Sequence, residues 1–151
     1  MAKSDRPLDP DVAQEVTDSI ARGYEFLKLK DGEVSPEEVQ EAIYKAIDRL
    51  RGKPSGLTEE RITELSVCLG CVWGDTVCRV LNWEWCVATL EGGDHFGIVT
   101  PNRSHVIFPM YFIQEQLKKD AEEDNTSLLL FNMLVAGQLP KAQPRSYTVL
   151  G

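Results

Sequence analysis

The sequence lacks an apolar segment of the kind that anchors a protein in a membrane or directs it to secretion. Residues 1–10 contain charged side chains and no apolar run. The most apolar stretch runs from Leu65 to Leu81, but Asp75 and Arg79 interrupt it, which is more typical of a buried helix than of a membrane span. We therefore expect a cytoplasmic protein that has no membrane partner.

Potential metal ligands are also scarce, since the 151 residues include only 4 cysteines and 2 histidines. Cys68 and Cys71 form a Cys-x-x-Cys pair inside a helical pattern, and Cys78 follows one heptad after Cys71. A structural zinc site usually draws a second pair of ligands from a loop, and the sequence has no second such pair. We expect these thiols, and Cys86, to be free and buried, with no metal or other cofactor.

The signatures of common enzyme classes are absent. The sequence has no nucleophile elbow, P-loop, HExxH helix or dinucleotide fingerprint. His95 follows Asp94 and His105 follows Ser104, but neighbours along a strand point to opposite faces, so we expect neither pair to be hydrogen bonded. The sequence favours a protein that is not an enzyme, and an enzyme built on His95, His105 or the cysteines is the alternative.

Basic residues are fewer than acidic residues. The chain has 16 Lys and Arg against 24 Asp and Glu, a formal net charge of −8. Nucleic-acid binding is disfavoured, because it depends on basic side chains that neutralise phosphates. A protein with a basic surface is the expected partner, and the candidate partner-binding residues are Glu91, Asp94, Asp120, Glu122, Glu123 and Asp124.

The length and the near-average composition indicate a single α+β domain. Residues 1–56 are predicted to form an N-terminal helical hairpin, with residues 1–8 frayed, and residues 53–56 a loop. The first helix is predicted to begin at Asp9-Pro10, as N-cap and first helical residue, and the second at a capping box formed by Ser35 and Glu38.

Residues 57–137 are predicted to form the α+β core, and residues 138–151 an extended tail in which Tyr147, Val149 and Leu150 could add an edge strand. The core begins with a central buried helix over residues 59–81, where Gly70 and Gly74 leave a strip that a backbone or a large aromatic side chain can approach closely. A three-stranded antiparallel meander follows, and then two C-terminal helices, the first of them starting at Pro109.

Three motifs occur in an order that resembles a known family. Residues 69–74 read Leu-Gly-Cys-Val-Trp-Gly, residues 83–85 read Trp-Glu-Trp, and Phe108-Pro109 leads into a helix. Over residues 57–136 the chain resembles a bacterial family catalogued as a domain of unknown function. The resemblance implies a compact α+β domain, and no reaction or catalytic residue comes with it.

Size, charge and the missing catalytic motifs favour a small acidic protein-binding module, such as an immunity protein that neutralises a toxin. The first alternative is a small-ligand-binding domain with an aromatic pocket. Its candidate walls are Trp73, Trp83, Trp85, Phe96, Phe108 and Phe112.

Overall fold

The computed structural model describes residues 2–51 and 57–151, which form five helices and one five-stranded sheet. The helices are α1 (Pro10–Leu27), α2 (Pro36–Arg51), α3 (Glu59–Leu81), α4 (Pro109–Lys118) and α5 (Ser127–Val135). The strands are β1 (Ser4–Arg6), β2 (Glu84–Leu90), β3 (Gly93–Val99), β4 (His105–Ile107) and β5 (Thr148–Leu150). The predicted loop at residues 53–56 lies outside the described residues.

Helix α3 is the centre of the core, as predicted. Its N-cap is Thr58, whose hydroxyl accepts a hydrogen bond from the Arg61 amide at 3.1 Å. Leu69 and Trp73 are fully buried, and the Trp73 indole donates to the Ser127 carbonyl of α5 at 3.1 Å. The helix therefore joins the N-terminal helices, the sheet and α5 into one core. None of the helices within residues 2–51 and 57–151 has both the length and the hydropathy that a bilayer span requires.

The glycine strip of α3 is filled by a close-packed neighbour, which confirms the prediction of tight packing. A Cβ at Gly70 would lie 2.6 Å from the Met110 Cα, and one at Gly74 would lie 2.8 Å from the Trp85 ring. The first turn of α4 and the second residue of β2 thus rest directly on the α3 backbone. No open cleft is left along this strip for a ligand.

The N-terminal helices start as predicted. Pro10 is the first residue of α1, although the Asp9 side chain makes no cap hydrogen bond. In α2 the capping box is formed: the Glu38 amide donates to the Ser35 hydroxyl at 3.1 Å, and the Ser35 amide donates to the Glu38 carboxylate at 3.3 Å. Both helices pack more extensively on α3 than on each other, so the predicted hairpin is held together mainly through α3.

The prediction of a three-stranded sheet is wrong, because β1 and β5 extend the meander on both sides. The order is β1-β2-β3-β4-β5, with three antiparallel pairs and a parallel pair between β4 and β5. Residues 4–6 therefore form a strand rather than a frayed terminus, and the tail supplies the edge strand. A three-residue strand such as β1 is too short to show a period of two in a sequence, and it forms because the longer strand β2 offers its edge.

Side chains also connect the two outer strands across one face of the sheet. The Tyr147 hydroxyl donates to the Asp5 carboxylate at 2.6 Å, and Arg103 contacts both Asp5 and Glu84 at 3.2 Å. Burial opposes the ionisation of Asp5, but the hydrogen bonds from Tyr147 and Arg103 outweigh it and hold the pKa of this carboxyl below its usual value. This ionic cluster covers a second, smaller apolar core, formed by Cys86, Ala88, Val99, Val106 and Tyr147.

Candidate partner-binding surface

A groove with aromatic walls opens between β3 and the first turn of α4. It has a volume of about 480 Å³ and is lined by His95, Phe96, Phe108, Met110 and Tyr111. Phe96 is 43% exposed and Tyr111 is 64% exposed, although both are large apolar side chains. Because Gly70 has no side chain, the first turn of α4 lies directly on α3, and Phe96 of β3 lines the groove beside Met110 and Tyr111.

Two of the predicted acidic residues lie beside this groove, in the hairpin that joins β2 to β3. Glu91 is exposed in the turn, and Asp94 directly precedes His95. Asp94 accepts hydrogen bonds from the Thr89 hydroxyl at 2.7 Å and from Arg6 at 3.2 Å, and these contacts lower the pKa of its carboxyl. The negative charge of Asp94 is thus shared with Arg6, whereas Glu91 has no ion-pair partner among the described residues.

The other predicted acidic residues lie in the loop that follows α4. Asp120, Glu122, Glu123 and Asp124 are all exposed, and Arg51 and Lys119 fix the loop through its backbone carbonyls at 3.1 and 2.9 Å. Tyr111 and Lys118 lie seven residues apart in α4, about 10 Å at the rise of a helix, and Asp120 follows two residues later. The two acidic groups that the sequence predicts therefore lie near opposite ends of α4.

The outward face of α4 connects the groove to the acidic loop. Tyr111, Glu115 and Lys118 are exposed at positions that succeed each other by four and three residues, so they form one stripe. We call this stripe, the groove and residues 120–124 the α4 surface. The sequence pattern does not single out Met110 and Tyr111, because a helical period does not tell which side chains of α4 remain exposed after the chain has packed.

The six aromatic residues predicted to wall a ligand pocket are divided between core and surface. Trp73, Trp83 and Phe112 are buried, and Trp73 packs on Phe112 with ring centroids 5.2 Å apart. Trp85 fills the space above Gly74. Phe96 and Phe108 line the open groove instead, where the His95 ring makes an edge contact with Phe108 at 5.5 Å.

Ser104 and His105 are hydrogen bonded, contrary to the expectation from strand geometry. The Ser104 oxygen lies 2.7 Å from His105 Nδ1, and His105 Nε2 lies 2.7 Å from the Pro140 carbonyl. A carbonyl can only accept, so Nε2 carries a proton, and in the neutral imidazole Nδ1 then accepts from the serine hydroxyl. The expectation failed because Ser104 belongs to the turn before β4 and not to the strand itself. The pair is buried and ties the C-terminal segment to the sheet.

All four cysteines are free thiols, and three of them are buried. Burial raises the pKa of Cys71, Cys78 and Cys86 to about 12, mainly because a thiolate loses its hydration there. The pKa of Cys68 is also raised by burial. Within the described ranges, no three His, Cys, Asp or Glu side chains come together in a way that could hold a metal ion.

Comparison with known proteins gives no relative: no family model, no curated protein and no solved structure matches the chain. The resemblance of residues 57–136 to a bacterial domain family stays a prediction.

Proposed function

We propose that this protein is an acidic protein-binding module that docks on a basic surface of another protein through the α4 surface. An immunity protein that neutralises a toxin is the specific form of this proposal. The observation that supports it most directly is the exposure of Phe96 and Tyr111 around a groove of about 480 Å³.

Aromatic side chains at the centre of an interface contribute a large share of binding energy, because they bury much area at a small cost in side-chain entropy. Tyr is among the residue types most enriched at such positions. Keeping Phe96 and Tyr111 in water is unfavourable for the free protein, and a partner that covers the groove relieves that cost.

The charges around the groove supply the second part of the proposal. Glu91 and Asp94 lie beside it, Glu115 lies one turn beyond Tyr111, and the acidic loop lies at the far end of α4. A polar, charged rim around an apolar centre is the usual anatomy of a protein interface. Here the rim carries mostly negative charge, which favours encounter with a basic partner.

Capture from extracts of the native cells tests the proposal. We expect the wild-type protein to retain a specific basic protein, and the F96A/Y111A double variant to lose it. Leu129→Ala is the matched control, because Leu129 is an apolar side chain of α5 that is 56% exposed and is not one of the residues of the α4 surface. Equal retention by wild type and double variant, or equal loss in the control, would contradict the proposal.

The toxin-neutralising form has a separate test. The captured partner is produced in cells with or without this protein, and growth is recorded. We expect the partner to arrest growth, wild-type protein to restore it and F96A/Y111A to fail. A captured partner that is harmless on its own contradicts the immunity role while leaving the binding module intact.

A further inference from the structure

A second groove forms where α1 crosses α3. At the crossing, a Cβ on Gly23 would collide with the Val72 side chain and lie 2.8 Å from the Cys68 carbonyl oxygen, so the two helices touch there. Beside this contact they diverge and leave a groove of about 460 Å³ between Arg22 and Phe26 of α1 and residues 61–68 of α3. Its volume falls within the range of about 300–1,000 Å³ that small-molecule sites occupy.

Two arginines line this groove, although the protein as a whole is acidic. The Arg22 guanidinium donates to the Ser19 hydroxyl at 2.9 Å and has no carboxylate within salt-bridge distance in the described part of the chain. Arg61 contacts Glu64 at 3.0 Å, and its guanidinium carbon lies 5.6 Å from the centre of the Phe26 ring. An exposed pair such as Arg61 and Glu64 contributes little, so an incoming anion can compete for Arg61.

Other arginines of the protein are engaged differently. Arg79 contacts both Asp31 and Asp75 at 2.9 Å, and Arg103 contacts both Asp5 and Glu84 at 3.2 Å. Each of these guanidinium groups is thus paired with two carboxylates. Arg22 and Arg61 keep most of their five N–H donors free for a ligand, and both line this groove.

The floor of the groove is apolar. Leu65 and Cys68 are buried beneath it, and the Phe26 ring forms one wall. A simple inorganic anion would leave this floor without a partner, whereas a neutral apolar molecule would leave the guanidinium groups unused. The groove is complementary to a molecule that has both an apolar body and one planar anionic group, since guanidinium and carboxylate form paired hydrogen bonds.

We propose that this groove is a binding site for a small organic acid with a hydrophobic body, whose carboxylate pairs with Arg22 and Arg61 while its apolar part lies on Phe26, Leu65 and Cys68. The site is separate from the α4 surface and does not depend on the proposed function.

Calorimetric titration with octanoate tests the site, with acetate and 1-octanol as matched probes that lack the apolar body or the charge. We expect saturable binding of octanoate and at least tenfold weaker binding of each matched probe. R22Q and R61Q should each weaken octanoate binding on the order of tenfold, the effect of losing one charge-assisted hydrogen bond. Arg49→Gln, which removes an exposed arginine of α2 outside the groove, should leave the affinity unchanged.

Backbone amide spectra locate the ligand independently of affinity. Octanoate should shift the amide signals of residues 22–26 and 61–68 and leave those of residues 108–111 in place. The inference is overturned if octanoate does not bind saturably, if R22Q and R61Q bind it as well as the wild type, or if the shifts fall on the α4 surface instead.

Discussion

Single residues of α3 decide how closely its neighbours approach. At Gly70 the missing side chain lets the Met110 backbone come within 2.6 Å of the position that a Cβ would take. Alanine favours a helix over glycine by about 1 kcal/mol, but a Cβ here would push against backbone, which cannot rotate away. Steric exclusion therefore outweighs helix propensity at this position.

The Gly70→Ala variant should accordingly be less stable than the wild type by about 2 kcal/mol. The cost of overpacking is about 3 kcal/mol, and the gain in helix propensity offsets about 1 kcal/mol of it. Urea unfolding monitored by tryptophan fluorescence measures it. Thr63→Ala is the control, because Thr63 lies on the exposed side of the same helix and its replacement should change stability by no more than about 0.5 kcal/mol. A G70A protein as stable as the control would show that α4 can shift without cost.

The reactivity of the thiols is also decided at the scale of single residues, since burial suppresses their ionisation. With a pKa of about 12, Cys71, Cys78 and Cys86 are ionised in roughly 1 molecule of 10,000 at pH 8, and the thiolate is the reactive form. A thiol-disulfide reagent at pH 8 should therefore label the folded protein orders of magnitude more slowly than the guanidinium-unfolded protein, in which all four react. Rapid labelling of the folded chain at any of these three sites would be inconsistent with the packing around α3 and β2.

At the scale of the element, the two edge strands of the sheet, each three residues long, are secured by side chains as well as by backbone pairing. The Tyr147 hydroxyl reaches Asp5 of β1 from the residue just before β5, and Arg103 supports the same carboxylate from the turn between β3 and β4. Burial, and then the hydrogen bond to Asp5, raises the pKa of Tyr147 to about 12. A tyrosine with a raised pKa stabilises the fold below pH 10, and this contribution is lost as the pH rises from 10 to 12.

Tyr147→Phe should therefore destabilise the protein by about 2 kcal/mol at neutral pH, the effect of removing a hydrogen bond to a charged acceptor. The wild type should lose stability between pH 10 and 12, and this loss should be smaller in Y147F. The pKa of Asp5 is lowered in the folded protein, so ionised Asp5 stabilises the fold at any pH above the pKa that it has in the unfolded chain. This stabilisation is lost as the pH falls from that value through the lower pKa of the folded state. Tyr111→Phe, at an exposed tyrosine, serves as the control in the same unfolding titrations and should match the wild type.

At the scale of the whole molecule, the net charge of −8 sets the long-range field, and the α4 surface is the proposed docking site for a partner. Long-range attraction acts mainly on the association rate, whereas buried aromatic contacts act mainly on dissociation. The two contributions can be separated by kinetics.

Once the partner is identified, its association rate with the wild type should fall steeply with rising salt, and its dissociation rate should change little. The triple variant E122K/E123K/D124K should associate more slowly than the wild type. The variant D11K/E15K/D18K on the exposed face of α1 changes the net charge by the same amount, from −8 to −2, and is the matched control. Equal slowing by both variants would place the binding surface elsewhere than at the end of α4.

The chemistry of neighbouring side chains was sufficient to predict the helices from the sequence. The limits of α3, the capping box of Ser35 and Glu38 and the start of α4 at Pro109 all follow from side chains that act within one or two turns. The glycine strip could also be predicted, since missing side chains can be read directly from the chain.

The edge strand of the tail was one possibility that the sequence offered, whereas only the tertiary structure decided the β1 edge, the Ser104–His105 contact and the position of the aromatic groove. A three-residue strand such as β1 or β5 exists because a distant strand offers hydrogen bonds, and those are not encoded within the segment itself. Phe96 and Trp73 are both aromatic in sequence, yet one is exposed and the other buried, because burial depends on which elements cover a residue once the whole chain has packed.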